Sequence, residues 1–422
     1  MAQLGKFNEK AIAIYGCAQI AENVSVINAT PTGTITTSLS TTAVTGIGTK
    51  FLTEVAVGSY ITNGSDVAAG RVLTVTSDTA IVLEANSLVL ISGAAFRTGL
   101  GPKNALAVLN LNFTVELTSE AFEYTGDELN RDETTVITDR FAKFDFETFL
   151  PVKGTTSSPP LVSEIPMSDW FQSSGMAIVI PVTAISKYTI TNSQASNKCM
   201  TIEIRKASPD LPLTQKTYTI TNARGTFDFN INLGSKPKLK FNYQGNVSST
   251  LSVEKPSITA DFQSQKTTIS ESVKSTTVNL ALLELWSGST EPANITFTPP
   301  ALPPGSTNIV FDKVVSPNLT GFEYSRYMTS SIDGWSKGAS PSDVTLTILE
   351  DTSAASYNPD TKLEALHRFT LCYADIADTA GKVVTITFHK LELTKVTASK
   401  IAKYNGQDLG FRSIGYTDIV FS

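Results

Sequence analysis

Histidine, cysteine and long apolar runs are all scarce in this chain of 422 residues. Two histidines, His367 and His389, supply too few imidazoles for histidine-based metal sites or for the usual catalytic triads and dyads. Three widely spaced cysteines, Cys17, Cys199 and Cys372, form neither a disulfide framework nor a metal-ligand cluster, so we expect small buried side chains. No apolar run approaches the roughly 20 residues that a membrane-spanning helix needs.

Signal-peptide and enzyme motifs are missing as well. Residues 1–16 have neither the basic start nor the long apolar core of a secretory signal, so we expect synthesis in a cytoplasm and no membrane partner. The glycine segments at 45–51 and 98–104 lack P-loop spacing and are better interpreted as turns. The nucleophile-elbow pattern is absent. These absences predict a protein that is not an enzyme and that carries no cofactor and no metal.

Charged residues are only 17% of the chain, and the formal net charge is −6 with a pI of about 5.2. Proteins that grip nucleic acid have a basic surface, so this balance argues against that task. An acidic surface is still compatible with DNA that passes without binding, because it repels phosphates at close range. The 41% hydrophobic content allows a packed core, and the abundant Ser, Thr and Asn favour sheets and turns.

The texture of the chain predicts a mainly β protein in four segments. Residues 1–31 precede short β-prone runs broken by Gly and Asn-Gly turns, which predict a small antiparallel barrel or sandwich over residues 32–98. A larger β domain follows over 99–286. A Pro-rich stretch then marks the beginning of a C-terminal β domain at 287–422.

The clearest strand signal is at residues 109–117, where apolar residues alternate with polar ones at a period of two. The polar positions, which would share one face, are Asn110, Asn112, Thr114 and Glu116. An aromatic strand is predicted at 141–149. The acidic, turn-rich residues between the two strands predict a hairpin with an extended tip.

One helix and many further strands are predicted. The helix would have Ser163 as its N-cap, Pro166 in its first turn and Gly175 as its stop. A weaker helix is predicted near residues 361–367, and a turn at 234–237. The other strands are predicted at residues 177–182, 200–205, 218–221, 227–233, 239–243, 308–314, 344–349, 369–373, 383–393 and 418–421.

The acidic cluster between the two hairpin strands is the one concentration of groups with chemical potential. Paired carboxylates hydrolyse glycosides, but such pairs usually come from separate elements that face each other across a cleft. Here the carboxylates lie within seven residues, with Arg131 among them, which favours a solvated loop or an inter-subunit contact. The four are Asp127, Glu128, Asp132 and Glu133.

The hairpin block resembles that of the bacteriophage tail tube (major tail protein) family. The family pairs an alternating strand with a turn like F-x-Y-T-G-D-E-L-x-R-D-E and an aromatic strand ending in F-x-P. The matching turn residues are Phe122, Tyr124, Thr125, Gly126, Asp127, Glu128, Leu129, Arg131, Asp132 and Glu133. Residues 158–176 resemble the family's short helix segment, except that Ser174 stands where a Cys is usual.

Two further segments carry similar signals. Residues 223–246 resemble the family's R-G-T-F strand, its turn and its closing strand, through Arg224, Gly225, Thr226, Phe227, Pro237, Phe241 and Gly245. The resemblance covers roughly residues 104–246. Residues 41–83 separately resemble a small β module common in tail and adaptor proteins, inserted into a tube domain that would begin in residues 1–31. The region 287–422 would be a second tube-like domain or a decoration domain.

The resemblance implies β-sandwich subunits joined edge to edge into rings, which stack around a lumen that DNA crosses on its way into the host. It implies a virion location in the phage tail. It also implies partners: copies of the chain itself, the tape measure, the tail terminator and, in a contractile tail, a sheath. Phe122, Tyr124, Asp127, Glu128, Arg131, Asp132 and Glu133 would make inter-ring or inter-subunit contacts. Asn110, Asn112, Thr114 and Glu116 would face the lumen.

Two questions stay open at the level of sequence. The first is whether three chains with two tube-like domains each, or six chains with one each, complete the ring. The second is whether the protein is instead a phage adhesin, a baseplate protein or a capsid-decoration protein that binds a surface ligand.

Overall fold

The computed structural model describes residues 12–106, 108–124, 132–149, 167–179, 186–190, 198–207, 215–232, 238–247, 277–286, 311–316, 322–324, 335–337, 343–349, 368–377, 384–401, 403–413 and 417–421. These residues are mainly β, in curled antiparallel sheets with few helices, which confirms that the fold class is mainly β. Within this part of the chain, no helix has the length and apolarity needed to cross a membrane.

The elements run in this order along the chain. The first are β1 (Ile12–Ala18), β2 (Thr34–Thr37), β3 (Ala43–Ile47), α1 (Phe51–Glu54), β4 (Tyr60–Asn63), β5 (Ala68–Ser77), β6 (Ala80–Leu83), β7 (Phe96–Gly99), a 3-10 turn (Pro102–Asn104) and β8 (Ala105–Leu106). The middle ones are β9 (Leu109–Tyr124), β10 (Asp132–Phe149), α2 (Ser168–Ser173), β11 (Met176–Val179), β12 (Ser186–Ile190), β13 (Met200–Ala207), β14 (Gln215–Asn232), β15 (Lys238–Val247) and β16 (Thr277–Trp286). The last are β17 (Phe311–Ser316), β18 (Phe322–Tyr324), β19 (Trp335–Lys337), β20 (Asp343–Leu349), β21 (Arg368–Ala377), β22 (Val384–Ile401), β23 (Tyr404–Ser413) and β24 (Thr417–Phe421).

The chain divides into two compact units. The first contains Met1–Phe146, Cys199–Arg224 and Asn242–Thr259, and the second contains Glu147–Lys198, Gly225–Phe241 and Ala260–Ser422. The four-segment division made from the sequence stays a prediction. Each unit is described separately below.

In the first unit, β2 to β7 form a closed antiparallel barrel. Their hydrogen-bonded order is β2-β3-β6-β5-β4-β7, and an isolated bridge between Ile35 of β2 and Ala94, in the segment that leads into β7, closes the order. The barrel encloses eleven buried side chains, among them Phe51 and Phe96, whose rings meet edge to face with centroids 5.8 Å apart. Ring closure leaves few open edges, so a module with so small a core is protected from edge-to-edge pairing.

The two halves of the module motif meet in this barrel. The Gly46-to-Phe51 segment lies against the Asp78 turn: the Thr49 hydroxyl donates to the Asp78 carbonyl over 2.5 Å, and the Leu52 N–H donates to the Asp78 carboxylate over 3.1 Å. Gly48 has φ +66°, a left-handed conformation that glycine adopts without steric cost. The motif therefore specifies a turn and a helix start, which is a structural role.

The rest of the first unit contains an antiparallel sheet in which β1 is central. β1 pairs with β13 along its whole length and with β8 on its other side, and β13 pairs in turn with the first part of β14. Six of the seven β1 residues are buried. A strand covered on both faces has no polar alternation, which is why its sequence shows only a short apolar run.

In the second unit, helix α2 packs its aromatic residues against two strands. Phe171 contacts Phe227 of β14 with ring centroids 5.4 Å apart, and Trp170 contacts Phe241 of β15 over 5.7 Å. All four side chains are buried. The helix begins at Ser168 with Met167 as its N-cap, so it is shorter than predicted, and the expected cap at 163 and proline at 166 lie outside the described residues. Gly175, with φ +90°, ends it as predicted.

The second unit also contains a long antiparallel sheet. Its order is β11-β12-β24-β22-β23-β20-β17 followed by the last residues of β14. Strand β22 changes neighbours along its length: residues 384–392 pair with β24 and β21, and residues 391–401 pair with β23. A register shift between Leu393 and Lys395 marks the change.

Most predicted strands are present, and several are longer than predicted. Residues 218–221 and 227–233 belong to the single strand β14, whose last predicted residue lies outside the described part. The described strands that were not predicted are β1, β8, β12, β16, β18, β19 and β23. The predicted helix near 361–367 and the predicted turn at 234–237 lie outside the described residues.

Candidate functional site: the β9–β10 hairpin

The strand with the clearest sequence signal forms one side of a long hairpin in the first unit. Over residues 109–115 of β9, the apolar side chains are half-buried and Asn110, Asn112 and Thr114 are exposed, which confirms the predicted alternation there. β9 pairs with β10. Asn112 contacts Asp145 and Glu116 contacts Lys143, so residue numbers rise along β9 as they fall along β10, as in an antiparallel pair.

The exposed face of this hairpin carries cross-strand polar pairs. The Asn112 side-chain amide donates to Asp145 Oδ1 over 3.1 Å, and Lys143 Nζ lies 2.9 Å from Glu116 Oε2. Lys143 Nζ also lies 5.2 Å from the centroid of the Phe141 ring. Both members of the ion pair are more than 40% exposed, so solvent screens the pair and its contribution to stability is small. The charged residues Glu116, Lys143 and Asp145 make this face polar with little net charge.

The opposite face of β10 is buried in an aromatic cluster. Phe144 stacks against Phe146 and against Tyr243 of β15, with centroids 6.4 Å and 5.8 Å away. On β9, Phe113 packs against Tyr218 of β14 with centroids 4.8 Å apart. Burial of such rings stabilises the hairpin by about 1.5–3 kcal/mol for each fully buried side chain. One face is therefore fixed to the core and the other is available for contact.

Among the described strands, β9 pairs with β10 alone. A strand with a single neighbour presents a row of backbone N–H and C=O groups along its other side. β9 has 16 residues, which makes this a long row. Such an edge is a template for pairing with another chain.

The residues predicted to make contacts between subunits divide between strands and the connection. Phe122 and Tyr124 lie at the end of β9, and Asp132 and Glu133 lie at the start of β10. The strands thus extend further toward the tip than predicted, and residues 125–131 connect them. The remaining predicted contact residues, Asp127, Glu128 and Arg131, lie outside the described residues.

Sequence reasoning missed the β10 contribution to the exposed face. Residues 141–149 were predicted as an aromatic strand, while the polar residues between the aromatic ones, Lys143 and Asp145, were given no role. Their period-two spacing was the available signal. In the second unit the same strand continues with Glu147, whose carboxylate lies 3.3 Å from Lys238 Nζ.

A buried ion pair anchors the segment that follows the barrel in the first unit. Arg205 donates to Glu203 through Nε over 2.9 Å and through Nη2 over 2.5 Å, and Nη2 also donates to the Leu100 carbonyl over 3.1 Å. The guanidinium lies 3.8 Å from the centroid of the Tyr15 ring. Both charged side chains are at least 95% buried. The pair joins β13, β1 and the chain leaving the barrel.

The loop after β1 is fixed to β14 by an amide pair. Asn23 N–H donates to Asn222 Oδ1 over 2.8 Å, and the Asn222 side-chain amide donates to Asn23 Oδ1 over 2.6 Å. Both residues have positive φ, which Asn tolerates better than most residues. The Asn222 N–H donates to Gln19 Oε1 over 3.2 Å.

Two cysteines are buried as predicted and are not in disulfides: Cys17 and Cys199. The Cys17 thiol donates weakly to the Val57 carbonyl over 3.5 Å. Burial raises the pKa of the Cys199 thiol, although the neighbouring Arg224 acts against the rise. A thiol of this kind is a weak nucleophile at neutral pH. The side chain of Cys372 lies outside the described part.

No group of three or more His, Cys, Asp or Glu side chains with metal-binding geometry occurs among the described residues. His367 lies outside them, and His389 lies in β22. An edge that is open among the described strands and a polar sheet face are features that association surfaces share. The sequence matches no protein-family model and no curated protein.

Proposed function

We propose that this protein is the structural subunit of a bacteriophage tail tube, forming stacked rings around a lumen through which DNA passes. The observation that carries the proposal is the β9–β10 hairpin, with one face in the core, one polar face and an open β9 edge among the described strands. Pairing of this edge with a neighbouring copy satisfies its backbone groups, and a closed ring leaves no end unpaired.

The polar face supports its assignment to the lumen. Asn110, Asn112 and Thr114 are exposed, and Lys143 on the neighbouring strand β10 is paired with Glu116. Phosphate binding depends on free lysine and arginine side chains, and each contact adds to the affinity and to its salt dependence. A face of neutral amides and paired charges lets DNA slide past without being held.

In this proposal Asp127, Glu128, Asp132 and Glu133 contact the next ring. The other partners are the tape measure, the tail terminator and, in a contractile tail, the sheath. The site of action is the virion, after synthesis in the host bacterial cytoplasm. Three chains complete each ring if residues 287–422 form a second tube-like domain, and six chains complete it if they do not.

Electron microscopy of the purified protein is the first test. We expect hollow filaments or stacked rings, and discrete monomers or trimers without a lumen would contradict the proposal. Replacement of Asp127, Glu128, Asp132 and Glu133 by Ala should leave single rings but impair stacking. Asn and Gln at the same positions are the matched control, because they remove charge while keeping side-chain size. Tubes of normal length from both variants would exclude the stacking role of the tip.

The lumen assignment has its own test. Asn112→Lys and Thr114→Lys together should convert assembled tubes that do not retain duplex DNA into tubes that do, with binding lost as salt rises. The control is the exposed pair Lys50→Glu and Lys198→Glu, which changes charge elsewhere. If tubes with lysines at 112 and 114 bind no more DNA than the parent, this face does not line the lumen.

An adhesin, baseplate or decoration protein is the second candidate, and one observation favours it. Three leucines of the barrel are exposed on two segments that backbone hydrogen bonds join, from Thr37 N–H to the Ile91 carbonyl and from Ser87 N–H to the Thr41 carbonyl. They are Leu39, Leu88 and Leu90, at 58%, 75% and 65% exposure. Exposed apolar patches often mark binding surfaces. Under this alternative, microscopy shows discrete particles, and Leu88→Ser with Leu90→Ser abolishes attachment to cells or capsids.

A further inference from the structure

The barrel of the first unit exposes apolar side chains at both ends of its β2–β3 hairpin. At the end where the loop joins the two strands lie Leu39, Leu88 and Leu90, which we call the leucine patch. At the end of β3 lie Ile47 and Leu52, which are 74% and 52% exposed and which we call the isoleucine patch. The β2–β3 ladder between the two ends is about 10 Å long, at about 3.4 Å for each residue. The two patches are therefore separate surfaces of one barrel.

The leucine patch is held in place by backbone contacts. The Thr37 hydroxyl donates to the Val89 carbonyl over 2.6 Å, and the Leu88 N–H donates to the Ala69 carbonyl of β5 over 2.9 Å. The Val89 side chain packs against the barrel core, while its two neighbours, Leu88 and Leu90, are exposed. This alternation fixes the two leucines on the outer side of the barrel.

The isoleucine patch is fixed by the Asp78 turn. The Leu52 N–H donates to the Asp78 carboxylate over 3.1 Å. The next carboxylate along the chain, Glu54, accepts the Thr32 hydroxyl over 2.6 Å and the Thr32 N–H over 2.7 Å. Both carboxylates therefore have donors within the barrel, and these stay in place when another surface covers Ile47 and Leu52.

Charge is absent from the hairpin and from the segment beside it. Residues 32–49 and residues 85–96 contain no charged side chain, although charged residues make up 17% of the whole chain. A strongly charged ligand such as a polyphosphate is held by opposite charges, so the leucine patch offers it nothing. An exposed leucine gains by leaving water, and its complement is another apolar surface. Ile47 and Leu52, on either side of the Gly48 turn, supply such a surface.

The presence of two patches decides how copies would meet. A two-fold contact between two leucine patches would leave Ile47 and Leu52 in water in both copies. A head-to-tail contact covers the apolar side chains of both patches, and it repeats from copy to copy because each barrel has one patch of each kind. We propose that the leucine patch of one copy binds the isoleucine patch of a second copy of this chain. This contact is additional to strand pairing at β9 and does not depend on the formation of a tube.

The barrel is fixed to the sheet of the first unit, so a contact between barrels also orients the sheets. The Val26 carbonyl accepts the Thr98 hydroxyl of β7 over 2.8 Å, and the Val26 N–H donates to the Thr201 hydroxyl of β13 over 3.0 Å. The Asn104 side-chain amide donates to the Gly58 carbonyl over 3.0 Å. A carrier held in this way loses less conformational freedom on binding than a flexible one does.

Photo-crosslinking from the leucine patch tests the proposal. A benzophenone amino acid replaces Leu88 in the full chain, and heavy-isotope copies are mixed with light ones so that links between copies are recognised by mass. We expect links between copies from position 88 to residues 46–54. Links between copies that join position 88 to residues 86–92 would mean a two-fold contact and would overturn the proposal. Absence of links between copies would overturn it as well.

Serine substitutions show whether the isoleucine patch is the receptor. Ile47→Ser with Leu52→Ser in the crosslinking protein should lower the yield of these links about 10-fold or more, since two apolar contact residues are lost. The control is Ile20→Ser, which replaces an apolar residue that is 41% exposed outside the barrel and should leave the yield unchanged. An equal yield from the Ile47 and Leu52 variant would overturn the proposal. Because all these substitutions are at exposed positions, the melting temperature should stay that of the parent.

The crosslink separates this contact from the proposed function. Links to residues 46–54 in a protein that forms no tubes would support the contact and contradict the tube. Tubes that form without such links would support the tube and overturn the contact. If Leu88→Ser with Leu90→Ser abolishes attachment to cells or capsids while association between copies is unchanged, the leucine patch binds a surface ligand and the proposal is wrong.

Discussion

Removal of the buried arginine in the first unit gives the sharpest test of how the barrel is joined to its sheet. In Arg205→Met, the Glu203 carboxylate, 1% exposed in the parent chain, loses the Arg205 guanidinium, and the Leu100 carbonyl loses its donor. Breaking a buried pair in this way costs about 3–5 kcal/mol, since the buried carboxylate loses its oppositely charged neighbour. The stacking of the guanidinium on Tyr15 is lost as well.

A second substitution, Glu203→Gln, shows whether the buried Glu203 charge causes the loss of stability in Arg205→Met. With both substitutions no charge is buried, so most of the loss should be recovered, apart from about 1 kcal/mol for the unpaired Leu100 carbonyl. We therefore expect the double variant to be more stable than Arg205→Met by about 2 kcal/mol or more. A merely additive result would mean that the two side chains act independently.

Amide hydrogen exchange is the suitable assay, because it reports local opening in each unit. Exchange in peptides covering β1 and β13 should accelerate about 10²- to 4 × 10³-fold in Arg205→Met, because every 1.4 kcal/mol is tenfold. Exchange in β20, which belongs to the second unit, is the internal control and should not change. Acceleration below about fivefold in β1 and β13 would refute the assignment of this pair as the anchor.

Two further predictions concern the first unit. Gly245→Ala should destabilise the first unit by about 1–3 kcal/mol in a denaturation assay, because the new Cβ would lie 2.6 Å from the Ile220 side chain and 2.9 Å from the Ala223 backbone. The control is Gly99→Ala, whose Cβ meets nothing within 4 Å and which should change stability little. The raised pKa of Cys199 means that the folded state holds its proton more tightly, so its contribution to stability is full below pH 9 and is lost as pH rises through the folded value. Cys199→Ala should therefore reduce the decline of the free energy of unfolding above pH 9. If the decline is the same in the variant, ionisation of Cys199 does not cause it.

Local patterns in the sequence were sufficient where one face of a strand is wet. The period of two at 109–117 and the alternation of Leu239, Phe241 and Tyr243 predicted β9 and β15, because burial on one face and solvent on the other leave that signature. Gly175 predicted the end of α2 for a reason equally local, its left-handed backbone. The start of that helix was placed too early, since Ser163 and Pro166 are good local signals that do not determine where the helix begins.

Sequence patterns did not predict strands that are buried on both faces, or contacts between segments that are far apart in the chain. β1 has six buried residues of seven and shows no alternation, so nothing in its sequence separated it from a short apolar run. The Arg205 pair brings together residues 15, 100, 203 and 205, which no local window contains.

The sequence by itself determined a mainly β chain, the strands that alternate, the acidic segment at 118–140 and two cysteines that are small and buried. Those features depend on side-chain chemistry over a few neighbouring residues. Only the tertiary structure decided that β2 to β7 close into a barrel, that β9 has a single described neighbour and that Lys143 is paired with Glu116. Strand order and cross-strand pairing join residues far apart in the chain, and a single sequence carries no local record of them.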